Sequence, residues 1–491
     1  MAIDWPSIAL GSGTGTTYTS PDKYTWTWNG NSWIGKFGNS LGGFPFPWVI
    51  FDSTGAPTCY KTLSSAMTAA TSGQTIHLYS NGSQSELPGI VLKDRVDINL
   101  NGHTLNFSGD IVTNHAFNNN TGTVNVKMYN GEIVYTASNT VYQIVRNLVP
   151  ESTFTFESIN FRTPGTAGLF YGSVQGGNFY SVNGSAFAHF PQPSTADPST
   201  PSYSIVQDVY GESVNGSGID IQTSTSNITS TSYINVTGVS SDTNGWAFYV
   251  LSTLGYVYLY NCTAIADNSN SVGFHFNGSF TEGTFLGKKI KAEKCFGISK
   301  YLGGFSSSGS TLIDCVGEGG SYGFENRGLC DYFGCSDSMV IGYGNYGLTF
   351  NSLDYDSVID NCTFSLPIVS SVITNSISTI NIRNCTLSAV NGPIQFLGAT
   401  PNVKFNIDNC VIGNVEISTN PITIGGATGS RISNCTVMSS NVANTAIVVP
   451  VGSIASAFYL TSNTMIGCGG TMHPQLIGGA ITPSNKGNLF Y

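Results

Sequence analysis

The sequence predicts an all-β fold: a single-stranded right-handed parallel β-helix with an N-terminal cap helix and a small N-terminal β-hairpin segment. Three observations predict it: a short recurring phrase, a helical pattern ahead of the first strand, and a low content of charged residues. The phrase alternates apolar and polar residues and ends in Asn-Cys. Its asparagines, Asn361, Asn384, Asn409 and Asn434, step by 23, 25 and 25 residues. Such a period is typical of a chain that repeats one supersecondary unit.

Each phrase predicts one strand of one coil. The alternation places its apolar residues on one face, and stacking equivalent strands about 4.8 Å apart pairs their backbones and builds a continuous core. Asparagine suits the corner after the strand because it tolerates left-handed backbone, and stacked amides bond one another instead of being buried unpaired. Weaker copies extend this ladder of corners backwards through Gly334, Asp314, Lys294, Asn261, Asn235, Asn215, Asn183 and Asn160, and forwards to Asn463.

The ladder resembles the asparagine ladder of the pectate-lyase-like superfamily of right-handed parallel β-helices. The resemblance covers roughly three quarters of the chain and implies the fold, but it hardly restricts function, because one fold hosts many activities.

Composition excludes several partners. Charged residues make up 9% of the chain, and 18 Lys and Arg against 28 Asp and Glu give a net charge of −10. We therefore expect no nucleic-acid partner. No apolar run approaches the roughly 18 residues that span a bilayer, so we expect no membrane insertion. The start, Met1 to Pro6, lacks a basic region, and no cleaved secretory signal is expected.

Most of the 11 cysteines directly follow a ladder position. Equivalent residues on neighbouring coils are one strand spacing apart, so we predict a buried stack of free thiols rather than disulfides. Cys330 and Cys335 are the one close pair, and no histidine stands near enough to complete a familiar zinc pattern. We expect no metal and no cofactor.

We divide the chain into three segments. Residues 1–57 contain two alternating strands, from Tyr24 to Ile34, joined by Asn29-Gly30, a strong hairpin signal. Residues 58–470 form the β-helix, with a cap helix at about 62–72 ended by Gly73 and a proline-rich insertion loop at about 190–204. Residues 471–491 form a tail outside the repeat, whose apolar end suits an oligomer contact.

Candidate site residues lie on a second recurring strand, seen in the phrases that begin at Gly245, Gly273, Gly323 and Gly347. The flanking aromatics are predicted to point inward, which leaves Ala247, His275, Glu325 and Thr349 on one outer face. Glu325 belongs to the densest charge of the chain, which comprises Asp314, Glu318, Glu325, Arg327, Asp331 and Asp337.

His275, Glu325 and Arg327 are the candidate catalytic residues. His275 and Glu325 are expected about 10 Å apart, two strand spacings, and Arg327 is expected to pair with Asp354. The alternative is a set of surface ion pairs. Tyr322, Tyr343 and Tyr346 are candidate sugar-binding residues, because flat aromatic faces suit sugars. Here the alternative is ordinary strand-forming tyrosine.

The hairpin phrase Trp28-Asn29-Gly30-Asn31-Ser32-Trp33 resembles the Trp-Asn-Gly-x-x-Trp hairpins of bacteriophage tail and fibre proteins. This resemblance implies a virion structural protein, a tailspike, fibre or capsid spike, assembled in the host cytoplasm. Residues 1–57 would then contact other virion proteins, and the shaft would attach the particle to host surface polysaccharide. Tailspikes that the chain resembles associate as homotrimers.

The first alternative is a polysaccharide depolymerase, a lyase or glycoside hydrolase on the same fold. Hydrolases of this fold commonly carry an Asp-Asp pair and a Gly-His-Gly phrase, and this sequence has neither, so an enzyme is the less favoured reading. A bacterial surface adhesin is a third hypothesis.

Overall fold

The computed structural model describes the greater part of the chain between Phe44 and Gly467. The described residues are 44, 46–80, 82–108, 115–136, 143–193, 202–223, 229–252, 255–278, 288–339, 346–370, 376–389, 392–397, 402–414, 420–424, 430–440, 447–448 and 458–467. Seven short strands outside these ranges are described as backbone: Thr17–Thr19, Thr25–Trp28, Trp33–Lys36, Phe280–Thr281, Thr284–Phe285, Ser484–Lys486 and Leu489–Phe490. The chain forms two compact units, Met1–Thr200 with Ser204–Glu212, and Pro201–Tyr203 with Ser213–Tyr491.

The first unit opens with a small antiparallel sheet of Thr17–Thr19, Thr25–Trp28 and Trp33–Lys36, in which Trp28 pairs with Trp33 across the predicted Asn-Gly hairpin. A second antiparallel group, Trp48–Phe51, Pro57–Tyr60 and Thr75–Leu78, precedes the coils.

The cap helix, α1, runs over Leu63–Ala69 and is shorter than predicted. Thr62 is its N-cap, and a capping box joins Thr62 and Ser65. Such a reciprocal pair satisfies amide groups that the first turn leaves unbonded. The predicted C-cap was wrong: the helix ends at Ala70, whose backbone is already extended, and Gly73 takes a left-handed conformation in the turn beyond it.

Parallel strands build the coils of the first unit. Long strands run over Asp97–Phe107, Asn125–Tyr135, Thr153–Thr163 and Ser173–Asn183, with Gln84–Glu86 beside the first. A second sheet contains Ile90–Val91, Phe117–Asn119, Val145–Asn147, Gly168–Phe170 and Phe187–His189. The strand Ser202–Gln207 begins within the predicted insertion at 190–204, of which residues 194–201 lie outside the described residues, and Tyr210–Asn215 follows it.

Three parallel sheets build each coil of the second unit, in the chain order A, corner, B, C. Sheet A contains Thr229–Ile234, Tyr256–Tyr260, Ile290–Glu293, Ser310–Ile313, Cys330–Phe333, Ser357–Asp360, Ser378–Arg383, Val403–Asp408, Ser430–Ser433, Phe458–Thr461 and Ser484–Lys486. Sheet B contains Thr237–Ser240, Thr263–Ala266, Phe296–Ser299, Val316–Gly319, Ser336–Met339, Thr363–Phe364, Thr386–Ala389, Val411–Asn414, Thr436–Ser439, Thr464–Ile466 and Leu489–Phe490. Sheet C contains Ile219–Gln222, Trp246–Leu251, Val272–Asn277, Gly303–Ser308, Tyr322–Asn326, Tyr346–Phe350, Ile368–Ser370, Ile394–Phe396, Ile422–Ile424 and Ile447–Val448.

These long parallel sheets, with a single short helix among the described residues, confirm the predicted parallel β-helix. Residues 471–491 were predicted to lie outside the repeat. However, Ser484–Lys486 and Leu489–Phe490 extend sheets A and B in parallel register, so part of this segment continues the repeat. No helix among the described residues is long and apolar enough to cross a bilayer.

The corner between sheets A and B is a residue with positive φ. In the second unit these corners are Asn235, Asn261, Lys294, Asp314, Gly334, Asn361, Asn384, Asn409, Asn434 and Ser462. The amides run along the outside, because the corner asparagines are exposed. Asn409 donates to the Asn384 side chain at 2.9 Å, and Asn261 donates to Asn235 at 2.8 Å. The stacked amides therefore link exposed corners. The prediction that they satisfy buried polar groups was wrong.

Four of the predicted corners are misplaced. In the first unit the corners of this ladder are the left-handed residues Asn101, Asn130, Ser158, Gly176 and Asp208. Asn160, Asn183 and Asn215 lie beyond these corners, within the strands. Asn463 is also one residue late, because Ser462 holds the corner. Asn463 occupies the buried position that follows it, where it accepts from the Cys435 amide at 3.0 Å.

The residue after each corner points into the core, and eight of these residues are cysteines. They are Cys262, Cys295, Cys315, Cys335, Cys362, Cys385, Cys410 and Cys435, all buried and free. Their thiols donate to backbone carbonyls, as Cys315 does to Ala292 at 3.5 Å. This file of small side chains matches the predicted stack.

We expect these stacked thiols to be unreactive in the folded chain. Burial raises the pKa of Cys295, Cys315 and Cys335 well above the usual thiol value, and only a thiolate attacks a disulfide reagent. Ellman's reagent at pH 8 should therefore label these three only after unfolding in urea, as peptide mapping of the labelled chain would show. Rapid labelling of any of them without urea would contradict the buried stack.

Candidate functional site

The outer face of sheet C carries the candidate site. In register across five strands, Tyr249, His275, Ser306, Glu325 and Thr349 form one outward row. The inward row beside it is Phe248, Phe274, Phe305, Phe324 and Leu348, all fully buried. Because successive side chains of a strand point to opposite faces, burial of the inward aromatic row fixes the polar row on the outer face.

Sequence reasoning placed His275, Glu325 and Thr349 in this row, and Ala247 in place of Tyr249. The structure corrects the last: Ala247 is buried, and Tyr249 pairs with His275. Ala247 stands level with Gly273, because Trp246 pairs with Val272 and Phe248 with Phe274. The small residue is required at this level because sheets B and C approach closely. A Cβ on Gly304 would lie 2.6 Å from the Gly297 carbonyl oxygen.

Three aromatic rings form one end of the site. The Trp246 ring stacks on Tyr249 at 4.5 Å and on His275 at 4.9 Å between centroids, and Tyr249 lies 5.6 Å from His275. The three planes are nearly parallel, at 13° to 22°. Trp246 and Tyr249 stay partly exposed. The sequence pattern did not predict a role for Trp246, although Trp246 belongs to the recurring phrase that begins at Gly245.

A hydrogen-bonded carboxylate forms the other end. Glu325 accepts from the Ser306 hydroxyl at 2.5 Å, from the Tyr322 hydroxyl at 3.1 Å, and from the Asn351 amide. Burial, followed by the nearby Glu325 charge, raises the pKa of Tyr322, so its hydroxyl remains a donor. The Tyr322 ring lies against Gly303, where any Cβ would collide with it. Both oxygens of the carboxylate are thus engaged.

Arg327 contacts the aromatic end of the site. Its Nη1 lies 3.4 Å from His275 Nε2, so the guanidinium donates to a neutral imidazole. His275 is only 7% exposed, and this burial, with the charge of Arg327 second, lowers its pKa to about 4. Arg327 itself is exposed. The expected pair with Asp354 does not form: Asp354 contacts Ser352, and no ion pair in the described part of the chain includes Arg327.

The other predicted charges are distributed over different sheets. Asp331, on sheet A, bonds Lys288, and Asp314 is a corner residue. Asp337 sits on sheet B, where it accepts from the Ser365 and Leu366 amides, and burial raises its pKa. Glu318 lies on the sheet B strand Val316–Gly319. Of the predicted cluster, Glu325 and Arg327 therefore reach the site.

The predicted sugar-binding tyrosines are placed as follows. Tyr322 is buried within the site, and Tyr346 lies on the next strand of sheet C in register with it, 41% exposed. Tyr343 lies outside the described residues. Among the described residues, no three His, Cys, Asp or Glu side chains converge as a metal site.

A flat aromatic stack beside a guanidinium and a hydrogen-bonded carboxylate, on the exposed face of a sheet, can hold a sugar. The rings supply apolar contact with C–H groups, and the polar groups bond hydroxyls. Proton transfer by a carboxylate pair is poorly supported, because glycoside hydrolysis needs two carboxyl groups about 5 to 9.5 Å apart. In the outward row, Glu325 and Asp220 stand four strands apart, roughly 19 Å.

The fold and site define this protein as a right-handed parallel β-helix with an aromatic and polar patch on one sheet. Comparison of the chain with protein-family models and with curated proteins gives no match.

Proposed function

We propose that this chain is a carbohydrate-binding attachment protein, the β-helical shaft of a bacteriophage tailspike, fibre or capsid spike, which recognises host surface polysaccharide through sheet C. One observation carries the proposal: the parallel stack of Trp246, Tyr249 and His275 continues along the same face into the hydrogen-bonded group around Glu325. The alternation of apolar rings and polar groups over several strands suits a linear glycan that lies along the face.

The virion assignment draws on different features. The N-terminal antiparallel sheet precedes the coils and carries the Trp-Asn-Gly-x-x-Trp phrase, which suits docking on another particle protein. Assembly as a homotrimer is part of the same proposal. Sedimentation equilibrium of the full chain should give three times the chain mass of 51.9 kDa, and a stable monomer would contradict the trimer.

Truncation of Trp246 is the direct test of glycan binding. We expect the full chain to bind bacterial surface polysaccharides on an array, and Trp246→Ala to weaken the binding by at least about tenfold, or 1.4 kcal/mol. The matched control is Tyr256→Ala. Like Trp246, Tyr256 is an aromatic residue with an accessible side chain, 47% exposed, but it lies on sheet A, where the Lys289 ammonium covers its ring. Unchanged binding by Trp246→Ala, or equal loss in both variants, would contradict a site on sheet C.

Cleavage is the second candidate function, favoured by the neutral His275 beside an exposed arginine. A lyase needs a base and a group that neutralises a uronate, and these are the residue types present. However, the low pKa of His275 and the Arg327 donor at its Nε2 make the imidazole a weak base. We expect binding without cleavage. The polysaccharides bound on the array are incubated with the full chain and analysed for new reducing ends and unsaturated sugars. If cleavage products form with the native chain but not with His275→Gln, the protein is a depolymerase and the binding proposal is wrong.

A further inference from the structure

The outer face of sheet B in the second unit carries a long row of uncharged side chains. The sheet has eleven strands, and the first residue of each strand is exposed or half-buried. These first residues pair in register along the whole sheet, from Thr237 to Leu489. They are threonines, valines, one serine, one phenylalanine and one leucine. A continuous strip without charge therefore runs along these coils.

A second outward row lies two residues further along the strands. Its apolar members are Val239, Ile265, Ile298, Met438 and Ile466. Among the paired residues of the two rows, Glu318 is the one charged residue, and Ser338 lies in register beside it on the next strand. The strip without charge is therefore two rows wide over most of its length.

Apolar side chains of the two rows lie next to one another. In the earlier coils Phe296 pairs with Val316, and Ile298 lies two residues after Phe296 on the same face. In the later coils Val411 and Ile466 are 42% and 41% exposed. Removal of such surface from water is favourable, so this face is suited to a partner.

Sheet A of the same coils carries charge on its outer face. One outward row of sheet A contains Lys291 and Asp331, and the row beside it contains Asp360, Arg383 and Asp408. These charged side chains face water on strands that alternate along the chain with those of sheet B. The low charge of sheet B is therefore not a property of every face of these coils.

The dimensions of the strip reach those of a specific protein interface. Ten strand spacings make it about 48 Å long, and a strand of four residues makes it about 13 Å wide. A partner that covers the strip would bury roughly 600 Å² of it, and specific interfaces begin at about 600 Å² on each partner. The face is therefore large enough for stable association.

A second copy of the chain matches this strip better than an unrelated partner. Both copies repeat their side chains about every 4.8 Å, so the side chains of one copy can fit between those of the other along the whole strip. A symmetric assembly also brings equivalent faces together around its axis, where each charge would approach its own kind. For a chain with a net charge of −10, an uncharged face allows association with the least repulsion.

We propose that sheet B of the second unit is the face through which copies of this chain associate. The inference rests on the proposed function, of which the homotrimer is a part, and assigns the contact to this strip. The strand Leu489–Phe490 extends sheet B, so the tail that was predicted to form an oligomer contact lies at one end of the face. The glycan site on sheet C stays outside the contact.

The experiment introduces a carboxylate into the strip and measures association by sedimentation equilibrium over a range of loading concentrations. We expect Val411→Glu and Ile466→Glu each to raise the concentration at which half of the chain dissociates by at least about tenfold, because an unpaired charge opposes burial at the contact. The matched control is Tyr459→Glu. Tyr459 is 44% exposed on an outward position of sheet A, and its variant should stay within about twofold of the native chain. Circular dichroism checks that each variant is folded.

The outcomes separate the face from the assembly itself. Dissociation of both sheet B variants, with Tyr459→Glu associated like the native chain, supports the inference. Folded sheet B variants that associate as tightly as the native chain would overturn the assignment to sheet B and leave the trimer standing. Equal dissociation of Tyr459→Glu would overturn the assignment as well. A native chain that stays monomeric at every concentration would overturn the trimer and this inference together, whereas glycan binding on sheet C is tested separately by Trp246→Ala.

Discussion

Truncation of Phe305 to alanine is expected to lower the free energy of unfolding by about 3 to 5 kcal/mol. Phe305 is fully buried in the inward row of sheet C. Its ring stacks on Phe274 at 4.8 Å and on Phe324 at 5.1 Å between centroids, with 14° between planes in both pairs. The mutation removes both contacts and leaves a cavity that the backbone cannot close, because pairing on both sides fixes the strand.

The effect should also extend along the coils. In a repeat structure each coil is stabilised chiefly by its neighbours, so a weak coil in the middle uncouples the coils on either side. We therefore expect a less cooperative transition, with a lower slope in denaturant. Urea unfolding followed by circular dichroism measures both quantities.

The matched control is Ile377→Ala. Ile377 is apolar but 89% exposed, so its truncation should change the free energy of unfolding by no more than about 0.5 kcal/mol. A loss below about 1 kcal/mol in Phe305→Ala would show that the stacked rings contribute much less to the core than their burial indicates.

The period of the Asn-Cys phrase was sufficient to predict the fold, because a strand that buries one face needs an equivalent neighbour. The exact corners were not predictable in the first unit. A left-handed corner accepts several residue types, and Ser158, Gly176 and Asp208 replace asparagine there. An asparagine pattern therefore indicates Asn160, Asn183 and Asn215 instead, which lie further along the strands.

The candidate site was predictable in part. The alternation of apolar and polar residues placed His275 and Glu325 in one row, two strands apart. Ser306 was missed because an additional antiparallel pair of strands, Phe280–Thr281 and Thr284–Phe285, precedes its coil and breaks the period. Tyr249 was missed because the Gly-aromatic phrase is offset by two residues in this coil: Ala247, and not Gly245, stands level with Gly273, and only the strand register shows this alignment.

The partner of Arg327 could not be read from spacing at all. Its offset before the corner suggested Asp354 on the next coil, whereas its side chain reaches His275 two strands back. A long flexible side chain can reach several neighbours on a sheet face, and which of them it contacts depends on which is desolvated. Burial of His275 makes its Nε2 an acceptor that needs a donor.

Acid is expected to destabilise the chain through buried neutral histidines such as His189. His189 is fully buried, its Nε2 donates to the Gly172 carbonyl at 3.0 Å, and burial lowers its pKa to about 4 from an ordinary 6.5. Below pH 6.5 the unfolded chain binds a proton that the folded chain does not. The stability contribution is therefore complete above pH 6.5 and is lost as the pH falls towards 4, by about 3 kcal/mol at most.

The measurement is the difference in free energy of unfolding between the native chain and His189→Gln, from urea titrations at intervals between pH 8 and pH 4.5. Glutamine keeps an N–H donor for Gly172 but does not titrate, so carboxylates that titrate in both chains cancel in the difference. The stability of the variant relative to the native chain should increase as the pH falls. If the His189 difference stays constant over this range, the folded chain binds the proton as readily as the unfolded chain, and His189 cannot be held neutral by its burial.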